Sequence, residues 1–142
     1  MEASEILIEK LKESEGLRTM AYRDAAGVLT IGYGHTGTDV REGDRITPYW
    51  AEELLLLDLK TFEMAVRRLK VARTQGQFDA LVSLAFNIGV DRLNRSTLLR
   101  VIRAGGSKAE VTRQFKRWVY AGGKQLPGLV KRREWEARRF FE

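Results

Sequence analysis

The stretch from Ala51 to Val71 is the feature that most constrains the fold, because it contains neither glycine nor proline. It is rich in leucine, glutamate and lysine, all of which favour a helix. Thr47 before it is a good helix cap, and Pro48 suits the first helical position. These signals predict one helix of about five turns. Such a helix separates the N-terminal residues from the C-terminal ones, so we expect two lobes joined by it.

Length and composition fit one globular domain of 142 residues, of which 44% are hydrophobic and 31% charged. The absence of cysteine excludes disulfides and thiolate metal sites, and a single histidine argues against a histidine-based zinc site. No apolar run approaches the roughly 20 residues that span a bilayer. Met1 is not followed by the cationic and apolar segments of a secretory signal. Without disulfides or a metal site to stabilise the fold, folding must depend on core packing.

The other elements are shorter and divide between the two lobes. Leu7 and Leu11 lie four residues apart on a predicted first helix, which Gly16 ends. Asp24 and Gly27 bracket a type I turn in a predicted hairpin. The fold class is therefore α+β and mainly helical, in one domain over 1–142, with an N-terminal lobe over about 1–46, a connecting helix over about 48–71 and a helical lobe over about 72–142. The predicted helices cover 2–15, 48–71, 77–88, 96–104, 107–120 and 127–141, and the hairpin covers 18–33.

The net charge of +6 is concentrated at the C-terminal end. Residues 103–142 hold eleven Lys/Arg and four Glu, a net charge of +7, so the rest of the chain is close to neutral. Such an asymmetry favours a polyanionic partner, which is a nucleic acid, an anionic lipid or a cell-wall polymer. The alternative is a solvated, arginine-rich helix face.

Glu15 is a candidate general acid. It lies four residues after Leu11 and seven after Ile8, at the end of the apolar stripe of the first helix. A carboxyl group against apolar surface and near a helix C-terminus holds its proton more readily than one in water. The alternative is an ordinary helix-end residue that pairs with a nearby arginine.

Asp24 and Thr30 are candidates for the second half of a hydrolytic site. Strand alternation sends the Thr30 side chain to the face opposite Leu29 and Ile31, over the open face of the hairpin. In a cleft between the lobes, these groups and Glu15 would suit glycoside hydrolysis, which needs one protonated and one ionised carboxyl group. For Asp24 the alternative is purely local, since aspartate is favoured at the first position of a turn.

Four sequence blocks together carry a family resemblance. Glu15, Asp24 and Thr30 lie within "ESEGLRTMAYRDAAGVLTIGYGHT", and "QFDALVSLAFNIGV", "RSTLLRVI" and "RWVYAGGKQLPGLVKRREWE" come after it in order. This pattern, which covers nearly the whole chain, resembles the phage-type lysozymes, or endolysins, of glycoside hydrolase family 24. The fold that the resemblance implies is lysozyme-like.

The resemblance implies a muramidase that cleaves the β-1,4 bond between N-acetylmuramic acid and N-acetylglucosamine in bacterial peptidoglycan. Glu15 matches the proton donor, Asp24 the second carboxylate and Thr30 a hydroxyl that helps to place the attacking water. No metal or organic cofactor is implied. Enzymes of this type are usually described as inverting, an outcome that depends on a carboxyl separation of roughly 6.5–9.5 Å rather than about 5–5.5 Å.

Further positions match residues of the family with other roles. His35, although the chain's single histidine, matches a structural histidine that pairs with an acid on the long helix, and Asp58 stands at the matching place. Phe86, Asn87 and Trp118 match positions that line the saccharide cleft. Phe86 also fits the apolar stripe of its own helix, and Trp118 would equally anchor the last helices.

The expected partners are peptidoglycan and, through the basic C-terminal region, anionic cell-envelope polymers. A nucleic-acid partner is not expected, because no DNA- or RNA-binding motif accompanies the charge, and we expect a monomer. The alternative function is a catalytically inactive, peptidoglycan-binding lysozyme-like module. We expect the enzyme to accumulate in the host cytoplasm and to lyse the host after another protein permeabilises the membrane, unless an N-terminal anchor like that of some relatives precedes this sequence.

Overall fold

The computed structural model describes all residues from 1 to 142 and confirms the mainly helical α+β class. None of the helices combines the length and the hydropathy that a membrane crossing requires. The helices are α1 (Glu5–Glu15), α2 (Pro48–Leu69), α3 (Gln75–Ile88), α4 (Val90–Asn94), α5 (Thr97–Arg103), α6 (Lys108–Phe115) and α7 (Pro127–Phe140). The strands are β1 (Arg18–Arg23), β2 (Leu29–Gly32), β3 (His35–Thr36), β4 (Tyr120–Ala121) and β5 (Lys124–Gln125).

The chain forms two compact units. The first, which we call the helical unit, comprises Met1–Leu7 and Phe62–Glu142. The second, which we call the sheet unit, comprises Ile8–Thr61. Helices α1 and α2 each contribute residues to both units.

The sheet unit is built around an antiparallel sheet in the order β1-β2-β3. The register of β1 against β2 shifts between Arg18 and Tyr22, which marks a bulge in β1. The other edge of β1 is covered by the segment after the sheet, since the Ala21 amide donates to the Asp44 carbonyl at 2.9 Å. Strand β2 lies between β1 and β3, so it is hydrogen-bonded on both sides.

Side-chain caps determine where the helices begin. Helix α1 begins at Glu5 rather than at residue 2, because the Ser4 hydroxyl accepts a hydrogen bond from the Leu7 amide at 3.2 Å. Thr47 caps α2 in the same way through the Trp50 amide, as its sequence predicts. Ser96 and Ser107 cap α5 and α6.

Two predicted helix ends are wrong. Helix α2 ends at Leu69 rather than at 71, because Lys70 adopts a left-handed backbone conformation with φ of 55°. Helix α6 ends at Phe115 rather than at 120, because the next residues form the β4–β5 hairpin. Gly122 and Gly123 form its turn with positive φ, which favours a tight two-residue connection. Sequence reasoning also missed the short helix α4.

Helix α3 is the core of the helical unit. Its residues from Phe78 to Ala85 are buried, and α7 is the helix against which it packs most extensively. The two helices touch through backbone at Gly76, where a Cβ atom would lie 2.2 Å from the carbonyl oxygen of Arg139. This close approach requires glycine at position 76.

Buried polar groups also join α3 to α7. Asp79 is fully buried and accepts hydrogen bonds from Nε and Nη2 of Arg139 at 3.1 and 2.8 Å. The same carboxylate accepts hydrogen bonds from the amide and hydroxyl of Ser4 and from the side-chain amide of Gln75. A buried carboxylate with this many donors is satisfied, so the pair connects the helices without an unpaired charge.

We expect Gly76→Ala to lower the free energy of unfolding by about 1–3 kcal/mol, because the added methyl group collides with main-chain atoms that cannot rotate away. Gly128→Ala is the control, since a Cβ atom there meets nothing within 4 Å and no positive φ is involved. The control should change stability by less than about 0.5 kcal/mol. Chemical denaturation of both variants measures the difference, and equal stabilities would contradict the close-approach explanation.

Candidate active site

Glu15 is the last residue of α1, and its half-buried side chain lies against the turn between β2 and β3. Gly34 in that turn has a φ of +76°, and a Cβ atom there would lie 2.8 Å from Oε2 of Glu15. Glycine therefore allows the main chain to approach the carboxyl group closely.

Asp24 has the local role that its turn position suggests. Its Oδ1 atom accepts hydrogen bonds from the amides of Ala26 and Val28, both at 2.9 Å, and its carbonyl accepts one from Gly27. No protein donor bonds to Oδ2. One oxygen of the carboxylate thus shapes the turn, and the other is left for a ligand or water.

Thr30 lies on the central strand and is more enclosed than its sequence suggests. Its exposure is 4% and that of Ile31 is 5%, so β2 is covered on both faces and the expected open face is absent at this position. The Thr30 hydroxyl donates a hydrogen bond to the Val28 carbonyl at 2.9 Å. Since the Val28 amide donates to Asp24, the Val28 backbone connects the two candidate residues.

His35 contacts the acid on α2 that the resemblance implied. Its Nδ1 atom lies 2.8 Å from Oδ2 of Asp58, and its Nε2 atom lies 2.9 Å from Oδ2 of Asp39. Burial lowers the pKa of His35, but the hydrogen bonds to Asp58 and Asp39 outweigh it, and the pKa is raised. The His35 contact in turn lowers the pKa of Asp39. Sequence reasoning missed Asp39, because residues 35–39 form a strand and a turn, where a spacing of four residues does not by itself bring two side chains together.

Phe86, Asn87 and Trp118 all belong to the helical unit. Phe86 is half-buried and makes an edge contact with Phe62 at a centroid distance of 5.3 Å. Asn87 is exposed, and its Oδ1 atom accepts a hydrogen bond from Nη1 of Arg133 at 2.9 Å. The same nitrogen donates to the Trp118 carbonyl at 3.2 Å, so Arg133 holds these two residues together.

Arg133 and Glu136 form an ion pair with no solvent exposure on either side chain, so Arg133 does not belong to the solvated, arginine-rich helix face that was the alternative for the basic region. Nη2 of Arg133 donates to Oε2 of Glu136 at 3.0 Å, and the Ser83 hydroxyl donates to the same oxygen at 2.6 Å. Nε lies 2.7 Å from Oε1 without the alignment of a hydrogen bond. Burial raises the pKa of Glu136 against the opposing effect of Arg133. The pair fixes the guanidinium that reaches Asn87.

The architecture is that of a lysozyme-like protein. The muramidase domain of SpmX from Asticaccaulis excentricus matches it with a TM-score of 0.89 and 37% identity, covering 99% of this chain and 98% of that one. An endolysin of Bacillus phage B103 is 45% identical and covers 99% of this chain and 54% of its own length. An endolysin of Acyrthosiphon pisum secondary endosymbiont phage 1 is 40% identical and covers 99% of this chain and 98% of its own length.

A family model described as phage lysozyme matches residues 12–136. The chain belongs to the phage lysozyme family, as its sequence blocks indicate. It spans about half the length of the B103 endolysin that it matches. The matched range includes the catalytic candidates, His35 and Asp58, and the three residues expected to contact saccharide.

We expect Asp58→Asn and Asp39→Asn each to lower the pKa of His35, with the larger fall for Asp58→Asn. Because the pKa of His35 is raised in the folded state, the charged ring stabilises the fold. This stabilisation is complete at a pH below the ordinary histidine pKa and is lost as the pH rises through the raised pKa. The lowered pKa of Asp39 gives the opposite limit, since its stabilisation is lost as pH falls through that value.

NMR titration measures this directly, because a single histidine gives a single set of ring resonances. Glu42→Gln is the control, since that exposed carboxylate contacts Arg23 and not His35. An unchanged His35 pKa in both aspartate variants would show that the contacts do not stabilise the imidazolium.

Proposed function

We propose that this chain is a muramidase that hydrolyses the β-1,4 bond between N-acetylmuramic acid and N-acetylglucosamine in peptidoglycan. The observation that carries the proposal is the hydrogen-bonded connection from Asp24 through the Val28 backbone to Thr30. Glu15 belongs to the same compact unit and supplies the other of the two carboxyl groups. Family membership supports the same reaction class.

Glu15 is proposed as the general acid. In its protonated form it donates to the glycosidic oxygen as the bond from that oxygen to the anomeric carbon breaks. The close Gly34 backbone limits where the carboxyl group can lie, which favours one proton-donating position. The leaving sugar departs as an alcohol, and positive charge develops on the other sugar ring.

Asp24 and Thr30 are proposed to hold and activate the water. Oδ2 of Asp24 accepts a proton from the water as the water oxygen attacks the anomeric carbon. The hydrogen of the Thr30 hydroxyl is directed to the Val28 carbonyl, so the hydroxyl oxygen meets water as an acceptor. The Val28 backbone holds both side chains in place, and together the two side chains orient one water molecule.

Phe86, Asn87 and Trp118 are proposed as saccharide contacts. Because Oδ1 of Asn87 already accepts a hydrogen bond from Arg133, its amide nitrogen is the group that remains for donation to a sugar. Phe86 and Trp118 supply apolar surface for sugar rings. Arg133 is a positioning residue here, since it acts through Asn87 and Trp118.

The proposed biological role is lysis of the bacterial host, and the phage endolysins among the relatives support it. The enzyme is proposed to accumulate in the host cytoplasm and to act on the wall once the membrane has been permeabilised. Peptidoglycan is the proposed partner, and the chain is proposed to act as a monomer without a metal or organic cofactor.

Glu15→Gln should lower the rate of peptidoglycan hydrolysis by about 10²- to 10⁴-fold, the usual contribution of a general acid. The matched control is Glu13→Gln. Glu13 is an exposed carboxylate on the same helix, and it pairs with Lys10. Turbidity loss of purified peptidoglycan and the reducing ends released measure both variants. Full activity of Glu15→Gln would reject the mechanism, and absence of hydrolysis by wild type would favour the inactive binding module.

Gly34→Ala should reduce hydrolysis by about 10²-fold, because its methyl group displaces the flexible end of the Glu15 side chain. Gly43→Ala is the control, since its φ of +83° imposes similar backbone strain while a Cβ atom meets nothing within 4 Å. The midpoint temperature of thermal unfolding should therefore fall by a similar amount in both variants, whereas activity should be lost only in Gly34→Ala. Equal activities at equal stability would remove the assigned role of Gly34.

A further inference from the structure

A pocket of about 400 Å³ opens in the helical unit beside Trp118. Arg92 and Arg95 reach it from α4 and the residue after it, and Arg117 reaches it from the turn after α6. Ser96, Thr97 and Gln114 complete the lining. We call this site the arginine pocket. Two of its arginines lie outside the basic region 103–142, so only the fold brings the three together.

The three guanidinium groups of the arginine pocket have no carboxylate partner. None of them lies within 4.0 Å of a carboxylate oxygen. Arg95 donates only to the Asp91 carbonyl at 3.4 Å, and Arg117 only to the side-chain oxygen of Gln114 at 3.2 Å. The lining contains no acidic residue. The pocket therefore concentrates positive charge that no protein group neutralises.

The chemistry of the lining specifies an oxyanion carried on a hydroxylated unit. Guanidinium forks bind phosphate and carboxylate oxygens through paired hydrogen bonds. A single carboxylate has about four lone-pair sites, fewer than three arginines together can address. A repeating polyol or sugar phosphate matches better, because it brings several phosphates and places hydroxyl groups near the polar side chains of Thr97 and Gln114.

We propose that the arginine pocket binds phosphodiester-linked polyol or sugar polymers of the bacterial cell wall and so holds the enzyme on its substrate. The choice of a wall polymer rests on the proposed function, which brings the chain to the wall. The pocket binds the polymer without cleaving it, and the reaction remains with Glu15, Asp24 and Thr30.

The test is cosedimentation with cell walls that carry phosphodiester polymers, performed in the Glu15→Gln background so that the walls stay intact. The triple variant Arg92→Gln, Arg95→Gln and Arg117→Gln should bind at least about tenfold more weakly, because charge-assisted hydrogen bonds to phosphate are lost. A second triple variant, Arg41→Gln, Arg68→Gln and Arg113→Gln, removes the same charge from exposed arginines outside the pocket and should retain binding.

A second arm uses walls from which the phosphodiester polymers have been removed by hydrofluoric acid. The parent protein should bind these walls no better than the pocket variant, and added glycerol phosphate polymer should compete for intact walls. Equal loss in both triple variants would assign the binding to net charge and overturn the proposal. Undiminished binding to stripped walls, or stronger binding to anionic lipid vesicles or DNA than to intact walls, would also overturn it.

Hydrolysis of the stripped walls by the protein with Glu15 intact is measured separately. It reports on the proposed muramidase activity without the phosphodiester polymer. Loss of hydrolysis there therefore rejects the proposed function, whereas loss of pocket-dependent binding rejects only the arginine pocket. Thermal unfolding of each triple variant verifies that the compared proteins are folded.

Discussion

The contact between α3 and α7 supports the rest of the helical unit. It combines two kinds of constraint: a backbone approach at Gly76 that excludes any side chain, and a fully buried Asp79 that is bonded to Arg139. The first fixes the distance between the helices and the second fixes their register. Breaking one partner of such a buried pair typically costs about 3–5 kcal/mol, because the other charge is left uncompensated.

The same interface reaches the proposed saccharide contacts. Glu136 on α7 is bonded to Ser83 on α3, and it holds the guanidinium of Arg133. Arg133 then donates to Asn87 and to the Trp118 carbonyl, and Trp118 also lines the arginine pocket. Packing, a buried charge pair and two surface residues are therefore connected. A substitution of Glu136 would therefore change the positions of Asn87 and Trp118 through the Arg133 guanidinium, although Glu136 itself is buried and contacts no ligand.

Local signals explain which parts of the fold could be predicted from the sequence. Caps such as Thr47 and Ser107 and the apolar spacing of α3 act within a few residues, so their patterns are visible in the chain. The errors have nonlocal or backbone causes. Lys70 ends α2 through an unusual φ, and Arg133 looks like a solvated residue until α3 covers it. The arginine pocket was equally hidden, because its members come from separate segments.

Asp24 shows why a structural and a chemical interpretation of one residue need not compete. A carboxylate has two oxygens, and the turn uses Oδ1 while Oδ2 has no protein donor. The turn restricts the side chain to one conformation, so the ordering entropy that a flexible catalytic group would lose on binding water is already spent in folding. Thr30 is restrained in the same way by its bond to Val28. The turn hydrogen bonds thus suit the role proposed for Asp24, because they orient the oxygen that they do not use.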